Sequence, residues 1–349
     1  MSNPTTASVA FESSFSRLMA LVQQRVGLEW QFHQHNDLRP LQSDLLELIQ
    51  EFGALLRVVY RYDLNQALIQ EAVWYASALE SRGPGKEAFS LLLESWIIAI
   101  QGLIKPPECN ILANPVQELR ANLSTLFDEA EKMRSVPAAA NIQMLVEKVI
   151  VGDLWGAQKL LSAQLTSKMP PHKLITHNIL PAMTEIGRRW ERNDLAIYEE
   201  HLATETIIRL LAGLSAGVPK IEHNKLSALV SCVPNDKHQL LPMALSEYLE
   251  LRGWSVRSLG SSLPVEQIAL AASTLKPNAI FLSLNMLSRL SDALDVLEKL
   301  HKINPHCPII IGGHGTIAGR LLLEKAHASV TQDFDEAHHL ALIGSTAHA

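Results

Sequence analysis

The chain has 349 residues, 47% of them hydrophobic, and a formal net charge of −6 at pH 7. A mildly acidic chain without a basic run does not favour nucleic acid as a direct partner, and no stretch approaches the roughly 20 apolar residues that span a bilayer. The three cysteines lack the CxxC spacing of zinc and iron–sulfur motifs. We therefore expect a cytoplasmic protein of two or three domains that binds neither DNA nor a membrane.

Residues 1–134 are predicted to form an all-helical domain. Apolar residues at helical spacing predict helices over 15–32, 40–62, 63–81 and 86–104. Pro115 is predicted to open a fifth helix at its first turn, where its missing N–H costs nothing. No pattern typical of a β-strand appears in this region.

Residues 140–216 are predicted to form a four-helix bundle. Helical patterns cover 142–151, 153–166, 172–192 and 197–216, with short connections between them. Asp153 is placed to cap the second helix. Pro181 falls inside the third, where we expect a kink or an interruption. Antiparallel helices joined by short loops are typical of such a bundle.

Residues 225–349 alternate short apolar runs with helical patterns. Strands are predicted at 226–233, 254–259, 279–284, 308–311 and 328–331. These runs do not alternate with polar residues, as expected of parallel strands that helices cover on both faces. The whole chain is therefore predicted to be of the α + α/β class, with an all-helical domain, a four-helix bundle and a flavodoxin-like five-stranded parallel sheet.

The loop after the first predicted strand contains Asp236 and His238. The carboxyl ends of the strands are where a doubly wound sheet binds its ligands. A neutral imidazole is a good transition-metal ligand, and a nearby carboxylate can hold its second nitrogen and raise its basicity. The alternative is that Asp236 caps the next helix and His238 is an ordinary surface residue.

The order of bundle and sheet, with this histidine after the first strand, resembles the cobalamin-binding module of methionine synthase and its relatives. Their motif, Asp-x-His-x-x-Gly, stands here over residues 236–241 with Leu241 in place of the glycine. The resemblance implies that His238 is the lower cobalt ligand and that Asp236 supports it. It also implies a slot for the nucleotide tail, lined at the ends of the third and fourth strands by Ser283, Leu284, Gly312 and Gly313.

A second signature lies upstream, where nine residues separate Trp190 from Glu200 and His201. Periodicity alone makes Trp190 a core aromatic of the bundle and the other two polar helix positions. The spacing resembles that of light-dependent cobalamin repressors of the CarH/LitR type. This resemblance, which covers about residues 140–345, implies that Trp190 covers the adenosyl face of adenosylcobalamin and that Glu200 contacts the adenosyl ribose. It also makes His201 a candidate upper cobalt ligand after photolysis.

These residues predict a light sensor, not an enzyme, in which photolysis of the cobalt–carbon bond drives a conformational or oligomeric change. We expect a homo-oligomer and an unknown downstream protein partner. The repressors of this type begin with a basic DNA-reading domain, whereas residues 1–130 here are acidic, which argues against direct DNA binding. Two alternatives stay open: a corrinoid methyl carrier of a methyltransferase system, and a cobalamin-binding regulator without photochemistry.

The N-terminal domain is expected to contact a partner or a second copy, or to hold a second chromophore. His33 and His35 lie in a region rich in aromatic residues, among them Tyr75 and Trp96. In overall plan the chain resembles the photocobilins, which pair a cobalamin module with a bilin. Biliverdin or another tetrapyrrole in this region is therefore one hypothesis; the alternative is core aromatics with surface histidines.

Overall fold

The computed structural model describes residues 5–32, 41–80, 85–134, 138–165, 169–192, 194–217 and 224–346. They fall into two compact units, Met1–Val136 with Glu191–Asn193, and Pro137–Trp190 with Asp194–Ala349. The predicted order of helical region, helical bundle and parallel sheet is confirmed. The division into three domains stays a prediction. No described helix combines the length and the apolar character needed to cross a membrane.

The described part of the first unit is helical throughout. Its helices are α1 (Thr6–Phe32), α2 (Leu41–Tyr62), α3 (Asn65–Glu80), α4 (Gly85–Leu103), α5 (Glu108–Ala121) and α6 (Leu123–Arg134). Pro115 lies inside α5, so the prediction that it opens a helix is wrong. The buried face of α5 continues through the proline from Leu112 to Val116, and this burial offsets the backbone bond that proline cannot donate.

Aromatic side chains fill the core of the first unit. Trp96 and Tyr75 are 0% and 1% exposed. The Tyr75 ring meets Phe52 edge to face at 5.2 Å between centroids, and Trp96 lies 6.0 Å from Phe11. His33 and His35 fall outside the described residues, so a tetrapyrrole in this region stays a prediction.

The helical part of the second unit forms the bundle. It consists of α7 (Ala140–Val149), α8 (Leu154–Leu165), α9 (Pro171–Leu174), a single turn of π-helix that we call the π-turn (Ile175–Ile179), α10 (Leu180–Glu191) and α11 (Ile197–Gly217). The side chain of Asp153 accepts a hydrogen bond from the N–H of Gly156 at 2.8 Å and caps α8 as predicted. The interruption expected near Pro181 is the π-turn that directly precedes it.

A buried amide fixes the π-turn against α8. Asn178 is 1% exposed, and its side chain exchanges two hydrogen bonds with Gln164, at 2.9 and 3.0 Å. The proline ring at 181 would clash with the carbonyl of residue 177 in a regular α-helix. The wider π-turn shifts that register, and the side-chain amide pair satisfies the buried polar atoms of Asn178.

Five parallel strands follow in the order β2-β1-β3-β4-β5. They are β1 (Ser227–Cys232), β2 (Ser255–Ser258), β3 (Ala279–Ser283), β4 (Ile309–Gly312) and β5 (Ser329–Val330). The intervening helices are α12 (Leu240–Glu250), α13 (Val265–Leu275), α14 (Leu290–Ile303), α15 (Thr316–Lys325) and α16 (Phe334–Thr346). This is the flavodoxin-like order, and β1 and β3 are buried because helices cover both faces of the sheet.

A polar cluster joins the bundle to the sheet domain. Arg252, just beyond α12, donates to His172 Nε2 and to His338 Nδ1, each at 3.0 Å. Lys173 pairs with Asp335 at 2.6 Å, and Asp335 also accepts a hydrogen bond from Tyr248 at 2.7 Å. We call this the arginine–histidine cluster; its members are His172, Lys173, Tyr248, Arg252, Asp335 and His338.

Candidate functional site

The carboxyl ends of β1, β3 and β4 meet at one edge of the sheet. Backbone hydrogen bonds extend the pairing just beyond the strands, from Val233 N to Ser283 O at 2.9 Å and from Leu284 N to Gly312 O at 2.8 Å. The strand order reverses between β1 and β3, since the chain first adds β2 on one side and then β3 on the other. Folds of this kind bind ligands in the crevice at that reversal.

Asp236 anchors the loop after β1 to the loop after β3. Its carboxylate, 1% exposed, accepts hydrogen bonds from the backbone N–H of Asn285 at 2.6 Å and of Met286 at 3.3 Å. It also accepts from the N–H of His238 at 3.1 Å. Burial by itself would raise the pKa of Asp236, but hydrogen bonds from His238 and Asn285 outweigh it, and the pKa is lowered. The group is therefore ionised at neutral pH.

The same carboxylate orients the His238 ring. Nδ1 of His238 lies 2.7 Å from Asp236 Oδ1, while the side chain is 53% exposed. An Nδ1–H held by a carboxylate leaves the lone pair on Nε2, which has no hydrogen-bond partner among the described residues. The geometry suits a metal-ligand nitrogen whose ring is held in place by a carboxylate on its other nitrogen.

His238 is not part of a metal site that protein ligands complete. Across the described ranges, no group of three or more His, Cys, Asp or Glu side chains is placed to hold a metal ion. A metal at Nε2 would need its remaining ligands from another source. A macrocycle that encloses its own metal meets this requirement.

A cavity of about 60 Å³ lies between the sheet edge, α12 and α16. One water needs about 10–15 Å³, so several would fit. Its walls include Leu241, Ser283, Gly312, Gly313 and Phe334. The Ser283 hydroxyl oxygen is buried without a hydrogen-bond partner. Leaving such a group unpaired costs about 1–3 kcal/mol, so a ligand with a complementary polar atom fits this wall.

The glycine loop after β4 approaches the loop after β3 closely. Gly313 has φ +103°, and a Cβ there would lie 2.5 Å from the carbonyl oxygen of Leu284. The fully buried Leu284 also accepts a hydrogen bond from Gly315 N at 3.1 Å. Only glycine suits such a close backbone contact with a positive φ.

Gln332 is a site residue that sequence reasoning missed. Its side chain accepts from Gly313 N at 3.1 Å and donates to Gly313 O at 3.0 Å. It also donates to the Thr316 hydroxyl at 2.6 Å. Gln332 lines the cavity and fixes the glycine loop from the β5 side. No signal in the sequence marks it, because the contact joins two loops that only the sheet brings together.

The remaining predicted residues lie on the bundle. Trp190, half-buried, is the last residue but one of α10, and Glu200 and His201 follow on α11. Glu200 is half-buried and accepts a hydrogen bond from the Thr204 hydroxyl at 2.8 Å, whereas His201 is exposed. The structure thus gathers Asp236, His238, Ser283, Leu284, Gly312 and Gly313 at the sheet edge. The approach of the bundle residues to a shared ligand is a proposal.

Comparison with known proteins identifies the class of this site. Two family models, each described as a B12 binding domain, match the chain, one over residues 226–339 and the other over residues 142–214. The first covers the parallel sheet with its helices, and the second covers the bundle. The second unit therefore contains a cobalamin-binding module. The Nε2 atom of His238 and the unpaired hydroxyl of Ser283 fit such a cofactor.

Among individual proteins, the HTH-type transcriptional repressor CarH of Myxococcus xanthus is 25% identical over 179 residues, which is 51% of this chain and 59% of that protein. The dimethylamine corrinoid protein 3 of Methanosarcina acetivorans is 24% identical over 161 residues, 45% of this chain and 76% of that protein. The solved monomethylamine corrinoid protein of Methanosarcina barkeri superposes with a TM-score of 0.46 at 15% identity, over 58% of this chain and 96% of that one. This chain thus spans little more than half of the CarH repressor.

Proposed function

We propose that the chain is a light sensor that uses adenosylcobalamin. The observation that carries the proposal is the position of Trp190 at the end of α10, followed by Glu200 and His201 on α11, within the bundle that matches a B12 binding domain. This is the arrangement expected from the light-dependent repressors of the CarH/LitR type. The similarity to CarH supports it.

Each site residue then has a role. Nε2 of His238 would hold the cobalt, and Asp236 keeps the ring in the tautomer that leaves this atom free. Ser283 offers its unpaired hydroxyl to the nucleotide tail. When bound, adenosylcobalamin supplies a cobalt–carbon bond that visible light breaks.

In this proposal, three residues of the bundle would contact the cofactor on the side away from His238: Trp190, Glu200 and His201. Trp190 would cover the adenosyl group, and Glu200 would contact its ribose. The exposed His201 would be available to hold the cobalt after photolysis. Because the contact through Trp190 exists in one state only, its loss shifts the conformational equilibrium of the bundle. The output passes to the oligomeric state or to a protein partner.

The test compares the holoprotein in the dark and after green light. We expect the illuminated protein to keep its corrinoid, with a spectrum that differs from that of free adenosylcobalamin after the same exposure. The pattern of limited proteolysis should change as well. In His201→Ala the spectrum of the bound photoproduct should change, and in Trp190→Ala the preference for the adenosyl over the hydroxo form should fall. Bleaching like that of the free cofactor, with unchanged proteolysis, would contradict the proposal.

A second candidate function is a corrinoid methyl carrier that serves a methyltransferase. The similarity to the dimethylamine corrinoid protein favours it. A carrier has to open its upper face to another enzyme, so Trp190→Ala should leave it able to accept a methyl group. A regulator without photochemistry would instead bind the hydroxo and adenosyl forms equally well. Methyl acceptance and the affinities for the hydroxo and adenosyl forms, measured on the wild type and Trp190→Ala, distinguish the light sensor, the methyl carrier and the regulator.

A further inference from the structure

The last residue of α10 belongs to the first unit. Glu191 ends this helix and directly follows Trp190, yet Glu191 groups with the N-terminal helices while Trp190 groups with the second unit. Within the first unit, the indole Nε1–H of Trp74 on α3 donates a hydrogen bond to Glu191 Oε1 at 3.1 Å. The boundary between the two units therefore falls at the peptide bond after Trp190.

Aromatic packing holds the donor of this hydrogen bond in place. Trp74 is half-buried, and its ring meets that of Tyr75 edge to face at 5.0 Å between centroids. Tyr75 in turn stacks on Phe89 at 6.3 Å and belongs to the core of the first unit. A carboxylate acceptor such as that of Glu191 makes a stronger hydrogen bond than a neutral oxygen does. The end of α10 is thus attached to a packed aromatic core.

The residue on the other side of Trp190 is attached to the bundle. Arg189 donates to Glu147 on α7 at 2.6 Å and to Glu185, one turn earlier on α10, at 3.2 Å. Its side chain is 17% exposed. Helix ends fray because their last carbonyl groups have no partner within the helix. With Arg189 and Glu191 both held, the last turn of α10 is fixed, and so is the direction in which the Trp190 side chain leaves the backbone.

We propose that Trp74 and Glu191 are positioning residues for Trp190, so that the first unit sets how well the indole covers the adenosyl side of the cofactor. The inference rests on the proposed role of Trp190 and gives the N-terminal helices a part in it. Coupling between two sites is reciprocal. The first unit is therefore the part of the chain that responds when Trp190 loses its contact with the adenosyl group.

The experiment measures dissociation constants of the full chain for adenosylcobalamin and hydroxocobalamin by absorption titration in the dark. Trp74→Phe keeps an aromatic ring beside Tyr75 but lacks the N–H donor. Its preference for the adenosyl form should fall by about fivefold, the lower end of the range for coupled sites. A general loss of stability would weaken both forms alike and leave their ratio unchanged.

Changes at Glu191 test the same hydrogen bond from its other end. Glu191→Ala removes the acceptor and should lower the preference as much as Trp74→Phe does. Glu191→Gln keeps an acceptor oxygen without the charge, so its preference should lie between those of Glu191→Ala and the wild type. These two variants also carry the test if Trp74→Phe unfolds before it can be titrated.

A double variant shows whether Trp74 acts through Trp190. Residues that act as one unit have non-additive effects. In a Trp190→Ala background, Trp74→Phe should therefore cause no further change in the ratio of the two affinities. An undiminished effect of Trp74→Phe in that background would overturn the proposal.

Tyr60→Phe is the matched control. Tyr60 is 9% exposed in the first unit, and its hydroxyl donates to the carbonyl oxygen of Leu112 at 2.7 Å. The variant removes a hydrogen bond of an aromatic side chain that does not involve α10, so it should lower the stability and keep the wild-type ratio. A wild-type ratio in Trp74→Phe, or an equal fall in Tyr60→Phe, would contradict the positioning role.

Failure of the proposed function looks different. If the wild type has no preference for the adenosyl form, or if Trp190→Ala keeps that preference, the role of Trp190 fails and the positioning role fails with it. If Trp190→Ala loses the preference while Trp74→Phe and Glu191→Ala keep it, the positioning role alone is wrong. If the affinities behave as expected but light leaves the proteolysis pattern unchanged, the light sensor alone is wrong.

Discussion

Asp236 shows how one buried carboxylate can organise a site that spans two loops. Its Oδ2 atom accepts hydrogen bonds from backbone N–H groups of the loop after β3. Its Oδ1 atom accepts hydrogen bonds from the ring Nδ1–H and the backbone N–H of His238. A charged acceptor makes stronger hydrogen bonds than a neutral one. The residue therefore stabilises the loop pair and at the same time sets the tautomer of the imidazole that we propose as the cobalt ligand.

The first prediction concerns Asp236→Asn. An amide presents an N–H₂ group to donors that need an acceptor, so some buried N–H groups lose their partner, at a cost of about 1–3 kcal/mol in the free energy of unfolding. Loss of the carboxylate behind a metal-bound histidine lowers affinity by about 10–100-fold. Urea unfolding and dark titration with hydroxocobalamin measure the two effects. The control is Lys237→Ala, an exposed position between Asp236 and His238. An unchanged corrinoid affinity in Asp236→Asn would refute the role of this carboxylate in supporting His238.

At this scale the sequence indicates the residue types but not all of their contacts. The spacing of Asp236 and His238 is sufficient to predict that the carboxylate meets the ring, because the partners are two residues apart. The bonds to Asn285 and Met286, some 50 residues later, depend on the pairing of β1 with β3. The same holds for Gln332, whose partners lie on another loop.

The elements meet at the arginine–histidine cluster, where α9, α12 and α16 come together. Arginine only donates, so both histidine nitrogens facing Arg252 act as acceptors and both rings are neutral. Burial, with Arg252 adding to it, lowers the pKa of His338 to about 4, and that of His172 is lowered for the same reasons. The junction between bundle and sheet domain therefore depends on neutral imidazoles.

The second prediction is a loss of stability in weak acid. A histidine in an unfolded chain has a pKa of about 6.5, while the folded pKa of His338 is about 4. The unfolded state binds more protons in this window, so the stabilisation is complete above pH of about 6.5 and is lost as the pH falls toward 4. Urea unfolding at several pH values measures the slope.

The variant His338→Gln should flatten that slope, because a glutamine oxygen accepts from Arg252 without titrating. His339→Gln is the matched control, since His339 is exposed at the next position of α16. The other charged or titratable groups that act on His338 are Arg252, Asp335, His172 and His339. All four remain in His338→Gln, and only His339 is lost in the control. Equal slopes in all three proteins would show that His338 is not responsible.

Elements with strong periodicity could be predicted from the sequence nearly to the residue. The predicted strand 279–284 is Ala279–Ser283, and the predicted helix 197–216 is Ile197–Gly217. Pro115 was misleading because the rule for proline at a helix start describes a local preference, and burial of the α5 face overrides it. The cavity and the unpaired hydroxyl of Ser283 are products of packing between elements, which periodicity does not report.

For the whole molecule, exposed apolar side chains on the bundle indicate where copies of the chain would associate. The bundle exposes several large apolar side chains, and Trp155 is the most exposed of them at 73%. Val151 and Tyr198 are also exposed on this part of the chain. Exposed aromatic residues are enriched at protein interfaces, and a tryptophan at the centre of one contributes much of the binding energy. We therefore expect the contact between copies of the chain to include this surface.

The third prediction is that Trp155→Glu weakens self-association. A charge buried in an apolar contact is costly, so the molar mass measured by light scattering should fall from that of an oligomer to that of one chain, 38.6 kDa. Leu321→Glu, which alters an equally exposed leucine on α15, 72% exposed, is the control and should keep the wild-type mass. A wild-type protein that already has the mass of one chain would contradict the expectation.

The π-turn at Ile175–Ile179 acts as a spacer in the helix that ends at Trp190. An α-helix turns by about 100° per residue, so taking one residue out of the turn would rotate everything downstream by that angle. The indole would then face a different direction, and Pro181 would collide with the carbonyl behind it. Insertions and deletions in this short stretch are thus the changes by which related chains would re-aim the tryptophan without altering it.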